Sequence, residues 1–119
     1  MRKKIAGGFA AATAVAGAVV LGQGALQSAD AAGTCPNNNW ANLTKVTVYD
    51  NFAVNGVNIR TGDSTSCTSL GQGQTTHDTA LHCYSYNGSY FWDHLKDLNT
   101  GTGGWVREDN LRVVSGNQC

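Results

Sequence analysis

The neighbouring residues His77 and Asp78 are the first feature of this chain that could do chemistry. A histidine beside a carboxylate, in a chain rich in Ser and Thr, could supply two members of a hydrolytic triad. The Gly-x-Ser-x-Gly elbow that presents a nucleophilic serine between a strand and a helix does not occur in the sequence. The sequence therefore predicts a protein that is not an enzyme, with no catalytic residue.

A second chemical possibility is a zinc site built from cysteine and histidine side chains. The candidate ligands are Cys67, Cys83, His77, His82 and His94. The short Cys-x2-Cys and His-x3-His spacings of structural zinc sites are missing, so we expect no metal and no other cofactor.

The N-terminal sequence predicts export, and disulfides are common in exported proteins. A cationic start, Met1-Arg2-Lys3-Lys4, precedes an uncharged Ala/Gly/Val-rich stretch, and Ala29-Asp30-Ala31 offers small residues to signal peptidase. We interpret residues 1–31 as a signal peptide cleaved before Ala32, and the protein as secreted, with possible association with the cell wall. A membrane anchor is the alternative, but the poverty in Leu and the cleavage site favour a signal peptide.

Cleavage at that point leaves 88 of the 119 residues, enough for one domain. Five basic and seven acidic residues remain, a formal charge of −2 with no basic run, so nucleic acid is not an expected partner. An exported domain this small often needs covalent cross-links. The even number of cysteines predicts two disulfides, for which three pairings are possible: Cys35, Cys67, Cys83 and Cys119.

Short alternating segments predict an all-β fold of five to six strands. Strands are expected over 45–50, 57–60, 79–86, 90–97, 104–107 and 111–114, with turns at 55–56, 87–88 and 108–110. Residues 62–77 read as a loop anchored by Leu70. Residues 32–44 form an Asn-rich arm that Trp40 could anchor. Turns about every ten residues indicate a sandwich or a small barrel.

Aromatic residues are dense, and a small barrel cannot bury all of them. Alternation places Leu95 on one face of the 90–97 strand, and Trp92 and His94 on the other, outward face. Half-exposed Tyr and Trp are typical of binding surfaces. We predict a ligand-binding set of Tyr49, Tyr86, Trp92 and His94. Packing over a second small core or over the Cys35 arm is the alternative for Trp92 and Tyr86, and is favoured for Trp105.

Two segments about forty residues apart carry a family resemblance. Val57-Asn58-Ile59-Arg60-Thr61-Gly62-Asp63-Ser64-Thr65, Trp92 with Leu95, and Gly104-Trp105-Val106 with Leu111 together resemble the bacterial SH3 (SH3b) family. Asp63 stands where that family usually has Pro. The resemblance covers about residues 45–113 and implies a small SH3-like β-barrel, followed by a tail over 114–119. Because such a barrel brings its ends together, it favours the pairs Cys35–Cys119 and Cys67–Cys83.

The resemblance also implies a function. It suggests a monomeric, non-catalytic module that binds peptidoglycan peptides of the cell wall in an aromatic groove, with no membrane contact after signal cleavage. The alternative is a stand-alone secreted protein that interacts with, or inhibits, another extracellular protein. That alternative is favoured by the absence of a hydrolase domain beside the module in this sequence.

Overall fold

The computed structural model describes residues 33–119, so the predicted signal peptide and its cleavage site lie outside the described residues. Within residues 33–119, six strands form: β1 (Val46–Val48), β2 (Val57–Arg60), β3 (Ser69–Gly73), β4 (Thr79–Tyr86), β5 (Phe91–Asp97) and β6 (Gly103–Arg107). One 3-10 turn, Glu108–Asn110, follows β6. The prediction of an all-β fold with five to six strands is confirmed. No helix within 33–119 has the length and apolar character to cross a membrane.

All six strands belong to one antiparallel sheet in the order β1-β4-β5-β6-β2-β3. β1 and β3 lie at opposite edges, so backbone pairing does not close the described sheet into a barrel. The longest pairing is the β4–β5 hairpin, which runs from Tyr86 opposite Phe91 to Thr79 opposite Asp97. Asn87 stabilises its loop by accepting the Tyr90 backbone N–H at its side-chain oxygen.

The sequence pattern located β2 and β4 at their observed bounds and missed β3. β3 has the sequence Ser-Leu-Gly-Gln-Gly, which lacks the β-branched residues of a typical strand, and it pairs with β2 at the sheet edge. Leu70 is 52% exposed and is therefore no anchor. The strand expected over 111–114 does not form, and Leu111 makes only an isolated bridge to Phe52.

One face of the sheet carries the apolar core. Most core residues lie at inward positions of β2, β4, β5 and β6, and the bridged pair Phe52 and Leu111 packs against them. The core consists of Phe52, Val57, Ile59, Leu81, Leu95, Val106 and Leu111. The Phe52 ring lies against β3 so closely that a Cβ on Gly73 would overlap it. Asn51 closes the same end, since its side chain bonds to the Thr79 hydroxyl and to the backbone of Val113.

All four cysteines are in disulfides, as predicted, but the predicted pairing is wrong. The bonds are Cys35–Cys67 and Cys83–Cys119. Neither bond joins Cys35, near the start of the described residues, to Cys119. Each end is instead tied to the sheet or to a loop, so the assumption behind the pairs Cys35–Cys119 and Cys67–Cys83 fails.

The C-terminal tail runs along the end of β4. The Tyr84 backbone N–H donates to the Asn117 carbonyl, and the Cys119 N–H donates to the Tyr84 carbonyl. Tyr84 and Gln118 accordingly form a parallel bridge. Cys83, the residue before Tyr84, is thereby in place to bond Cys119.

Candidate functional site

The face of the sheet opposite the apolar core carries a different set of side chains. Ile59, Leu95 and Val106 point into the core from three different strands. Because side chains alternate along a strand, the residues directly before and after each of them point to the other face. We call this side the arm-covered face and define it by five residues of β2, β5 and β6: Arg60, Trp92, His94, Lys96 and Trp105. Trp92, His94 and Trp105 are nevertheless buried, since other parts of the chain lie over them.

The N-terminal arm, residues 33–40, is one of the segments that cover this face. The Trp105 indole N–H donates to the Asn37 carbonyl at 2.9 Å, and the Asn37 backbone N–H donates to the Thr61 carbonyl at 3.0 Å. The arm thus runs from the loop after β2 to the middle of β6. Its contact with Trp105 explains why that ring is buried, as the sequence analysis favoured.

Asp63 fixes the arm in place. Its Oδ1 accepts the Thr34 backbone N–H at 2.9 Å and the Asn37 side-chain amide at 3.0 Å, and the Asp63 carbonyl accepts the Asn87 amide at 2.8 Å. The approach is close, because a Cβ on Gly62 would overlap the Thr34 carbonyl. Asp63 therefore provides the acceptor that holds the arm.

Three rings stack where the arm ends. Trp40 lies parallel to His94, with ring centroids 3.7 Å apart, and also stacks on His82 at 4.9 Å. The His82 and His94 Nδ1 atoms are 2.8 Å apart, so one donates a hydrogen bond and the other accepts it. Trp105 meets His94 edge-on at 5.2 Å. Trp40 itself remains 41% exposed and forms the outer layer of the stack.

Both stacked histidines favour the neutral state. Burial, and then the neighbouring His82, lower the pKa of His94 to about 3. Burial, and then the charge of Lys96, lower the pKa of His82. The shared Nδ1 hydrogen bond requires one ring to keep an unprotonated nitrogen, which agrees with these shifts. At neutral pH the stack therefore presents aromatic surface rather than positive charge.

A hollow of about 390 Å³ opens beside the stack. We call it the histidine hollow and define it by Trp40, Leu70, His82, His94 and Lys96, with residues 36–38 of the arm along one side. Trp40 and the 52% exposed Leu70 give it apolar surface. Lys96 has no ion-pair partner within residues 33–119 and places a cation beside that surface.

A second hollow, of about 210 Å³, lies on the same face. We call it the arginine hollow and define it by Val54, Val57, Arg60, Trp92 and Arg107. Arg60 lines both hollows, and its Nη1 donates to the Cys67 carbonyl at 3.0 Å. The arm lines only the histidine hollow, whereas the loop after β2 contributes Thr65 to the arginine hollow.

The structure does not bring the four predicted binding residues together. His94 lines the histidine hollow and Trp92 the arginine hollow, whereas Tyr49 and Tyr86 line neither. Tyr49 is 74% exposed in the turn after β1. Tyr86 packs on Phe91 at a centroid distance of 4.7 Å and donates its hydroxyl to the Gly88 carbonyl.

The prediction that Trp92 faces outward into solvent is wrong, because the ring is only 1% exposed. Alternation placed Trp92 and His94 correctly on the face opposite Leu95. That face is covered by the arm and by the loop after β2, which the pattern of a single strand does not reveal. The burial of Trp92 agrees with the alternative interpretation, in which this ring packs over a second small core or over the Cys35 arm.

The side chains of His77 and Asp78, which are adjacent in the sequence, have different partners. His77 Nδ1 lies 2.7 Å from Asp97 Oδ2, whereas the Asp78 carboxylate accepts the Asp50 backbone N–H. Asp97 also accepts the Asn99 backbone N–H at its other oxygen. These contacts stabilise the turns around β4 and β5. Within residues 33–119, no group of three or more His, Cys, Asp or Glu is arranged to hold a metal ion.

The predicted binding set lacks four residues that line the histidine hollow: Trp40, Leu70, His82 and Lys96. For Lys96 a signal was available, because it shares its strand face with Trp92 and His94 at two-residue spacing. Trp40 was noticed only as a possible anchor, and its stacking partner is more than forty residues away in the chain. Leu70 is expected from the sequence to anchor the loop over 62–77, but it is 52% exposed and lines the hollow instead.

Three kinds of comparison were made for this chain, with protein-family models, curated proteins and solved structures, and none gave a match.

Proposed function

We propose that this protein is a secreted, non-catalytic binding module with an SH3-like fold, and that it binds peptides of the bacterial cell wall in the histidine hollow. The observation that carries the proposal is the position of Trp40. This ring is 41% exposed, yet it is held in parallel contact with His94 at 3.7 Å and borders a hollow of about 390 Å³.

The hollow is organised before any ligand arrives. The segment that carries Trp40 is tied down by the Cys35–Cys67 disulfide and by the two hydrogen bonds that Asp63 accepts. A rigid aromatic ring loses little conformational entropy on binding, and prior ordering of a site lowers the cost of association. The arrangement is therefore better suited to capturing a ligand than to covering the core.

The chemistry of the hollow favours a peptide with small apolar groups and a carboxylate. Trp40 and Leu70 supply apolar contact, and Lys96 supplies a cation that can pair with a carboxylate. Asn37 and Asn38 add amide groups along the arm. The stem peptides of peptidoglycan have this composition, and the resemblance to bacterial SH3 domains supports the same ligand. The disulfides and the N-terminal targeting pattern support a site outside the cell.

Retention on purified cell wall tests the proposal. We expect the mature protein to be retained in high salt and Trp40→Ala to weaken binding by at least about fivefold, as the loss of a contact aromatic does. Tyr49→Ala is the matched control, since that ring is 74% exposed and lines neither hollow. Binding by Tyr49→Ala should equal that of the unaltered protein.

Two results would contradict the proposal. Equal weakening by Trp40→Ala and Tyr49→Ala would show that binding is not located at the histidine hollow. If the unaltered protein is not retained at all, the cell wall is not the ligand, and the alternative of an extracellular protein partner takes its place.

A further inference from the structure

Trp92 carries an unusual polar group. Its ring is 1% exposed, and the indole Nε1 is buried without a hydrogen-bond partner in the described structure. A buried donor without an acceptor costs about 1–3 kcal/mol, and most such groups in proteins find a protein or water partner. The indole N–H of Trp105 is satisfied by the Asn37 carbonyl. Trp92 lines the arginine hollow, so an acceptor bound there is a candidate partner.

The charge of the arginine hollow is suited to an anion. Arg60 and Arg107 line it from neighbouring strands, and no Asp or Glu is among its lining residues. Arg107 Nε donates to Asp109 at 2.8 Å, and its guanidinium carbon lies 4.4 Å from the Tyr90 ring centroid. The Asp109 carboxylate therefore offsets part of the positive charge at the rim, while Arg60 donates only to a carbonyl.

The remaining walls are amphipathic. Val54, Val57 and the Trp92 ring contribute apolar surface, whereas Asn58 and Asn110 contribute amides. A hydrated inorganic anion gains little from apolar walls. A carboxylate joined to a small apolar group can place its two oxygens on an arginine, which offers paired N–H donors, and its apolar part against the valines.

We propose that the arginine hollow binds a carboxylate that carries a small apolar group, such as the C-terminal end of a peptide. The carboxylate is held by Arg60 and Arg107, and the buried Trp92 indole gains an acceptor. This site is distinct from the histidine hollow, and the inference does not depend on the cell wall as ligand. It assigns a second binding function to the same face.

The three indole N–H signals of the protein, from Trp40, Trp92 and Trp105, allow a direct test by nitrogen-15 NMR. On titration with N-acetyl-alanine, the Trp92 indole signal should shift in a saturable way. The Trp105 signal should stay fixed, because that N–H is already bonded to Asn37. N-acetyl-alanine amide, which has the same shape without the charge, should cause no saturable shift.

Substitutions show whether N-acetyl-alanine binds in the arginine hollow. Arg107→Gln should weaken binding of N-acetyl-alanine by about tenfold or more, the size expected for a lost hydrogen bond to a charged group. Arg112→Gln is the matched control, since Arg112 is exposed and lines neither hollow, and it should leave binding unchanged. An unaltered Trp105 indole signal in each variant shows that the fold and the arm are intact.

Further probes separate the possible sources of the carboxylate. Equal or tighter binding of N-acetyl-Gly-Gly-Ala supports a peptide terminus, and weaker binding supports a free small molecule with the same group. Binding of acetate or inorganic phosphate as tight as that of N-acetyl-alanine would overturn the proposal, because the apolar walls would then play no part. Shifts that persist in Arg107→Gln at unchanged affinity would overturn it as well.

Discussion

The side chains on the two faces of the sheet are covered by different kinds of structure. On one face, Leu95 and Val106 pack with Phe52 into an apolar core. On the other face, His94 and Trp105 are covered by the arm, which is held by one disulfide and a few hydrogen bonds. The core face leaves little accessible surface, whereas the arm-covered face leaves two hollows lined by aromatic and cationic groups.

This difference assigns separate roles to the two faces. An apolar core contributes stability in proportion to the area that it removes from water. A short polar arm buries less apolar area, and it carries the half-exposed Trp40 to the rim of the histidine hollow beside Lys96. We therefore expect substitutions on the core face to act on the free energy of unfolding, and substitution of the half-exposed Trp40 at the histidine hollow to act mainly on binding.

The largest expected effect is on the core face. Leu95→Ala should lower the free energy of unfolding by about 2–5 kcal/mol, because Leu95 is fully buried and its truncation leaves a cavity. Trp40→Ala, on the arm-covered face, should cost under about 1 kcal/mol, because the ring is 41% exposed. Denaturant unfolding of both variants measures the contrast. A greater loss of stability in Trp40→Ala would mean that the arm, not the core, holds the fold together.

The two disulfides offer the next comparison. They span 32 and 36 residues, so loop-closure entropy predicts a similar loss of about 3–4 kcal/mol when either is removed. Removal of Cys35–Cys67 by paired Ser substitutions should also abolish binding at the histidine hollow, because the arm is released. The Cys83–Cys119 double variant is the control, and below its own melting temperature it should bind normally. Equal binding by both double variants would show that the arm needs no cross-link.

A smaller effect is expected at Asp63. Asp63→Ala removes the acceptor of the Thr34 and Asn37 donors and should lower stability by about 1–3 kcal/mol. Asp63→Asn keeps an acceptor oxygen at the same place and should lose less. The position of the arm can be followed through the Trp105 indole signal, which should change more in Asp63→Ala. Identical behaviour of the two variants would exclude the side-chain oxygen as the anchor.

The change in the free energy of unfolding per pH unit is the smallest of these expected effects. The pKa of His94 is about 3 in the folded protein, below the ordinary value of 6.5, so the unfolded chain binds the proton more tightly. The stabilising contribution is complete above about pH 6.5 and is lost as the pH falls toward 3, with a slope of up to about 1.4 kcal/mol per pH unit.

Unfolding measured between pH 7 and pH 4 tests this prediction. His94→Phe keeps an aromatic ring for Trp40 to stack on but cannot titrate, so its stability should fall less steeply with acid. An unchanged slope in His94→Phe would mean that other groups dominate the acid response.

Local sequence patterns predicted the strands well and the arm-covered face poorly. β2 and β4 have regular alternation and clear turn residues, and both were located at their observed bounds. β3 was missed because an edge strand of Ser, Gly and Gln lacks the apolar alternation that marks a half-buried strand. The alternation of β5 correctly separated Leu95 from Trp92 and His94.

The remaining differences have one physical origin, which is contact between residues far apart in the chain. Cys35 bonds Cys67 because the arm lies against the loop after β2, and Trp92 is buried although its strand pattern places it opposite the core. Asp63 accepts hydrogen bonds from Thr34 and Asn37 and so holds the arm in that position. Composition and spacing along the chain contain no information on where a polar arm will lie.

The most direct test is to map where cell-wall material contacts the protein. Backbone NMR signals should be followed while soluble fragments of purified cell wall are added to the mature protein. We predict that shifts concentrate at residues 36–40 of the arm and at His94, Lys96 and Gly103, which line the histidine hollow. Shifts concentrated at the β1 edge and Tyr49, with none in the arm, would contradict the assignment of binding to the arm-covered face.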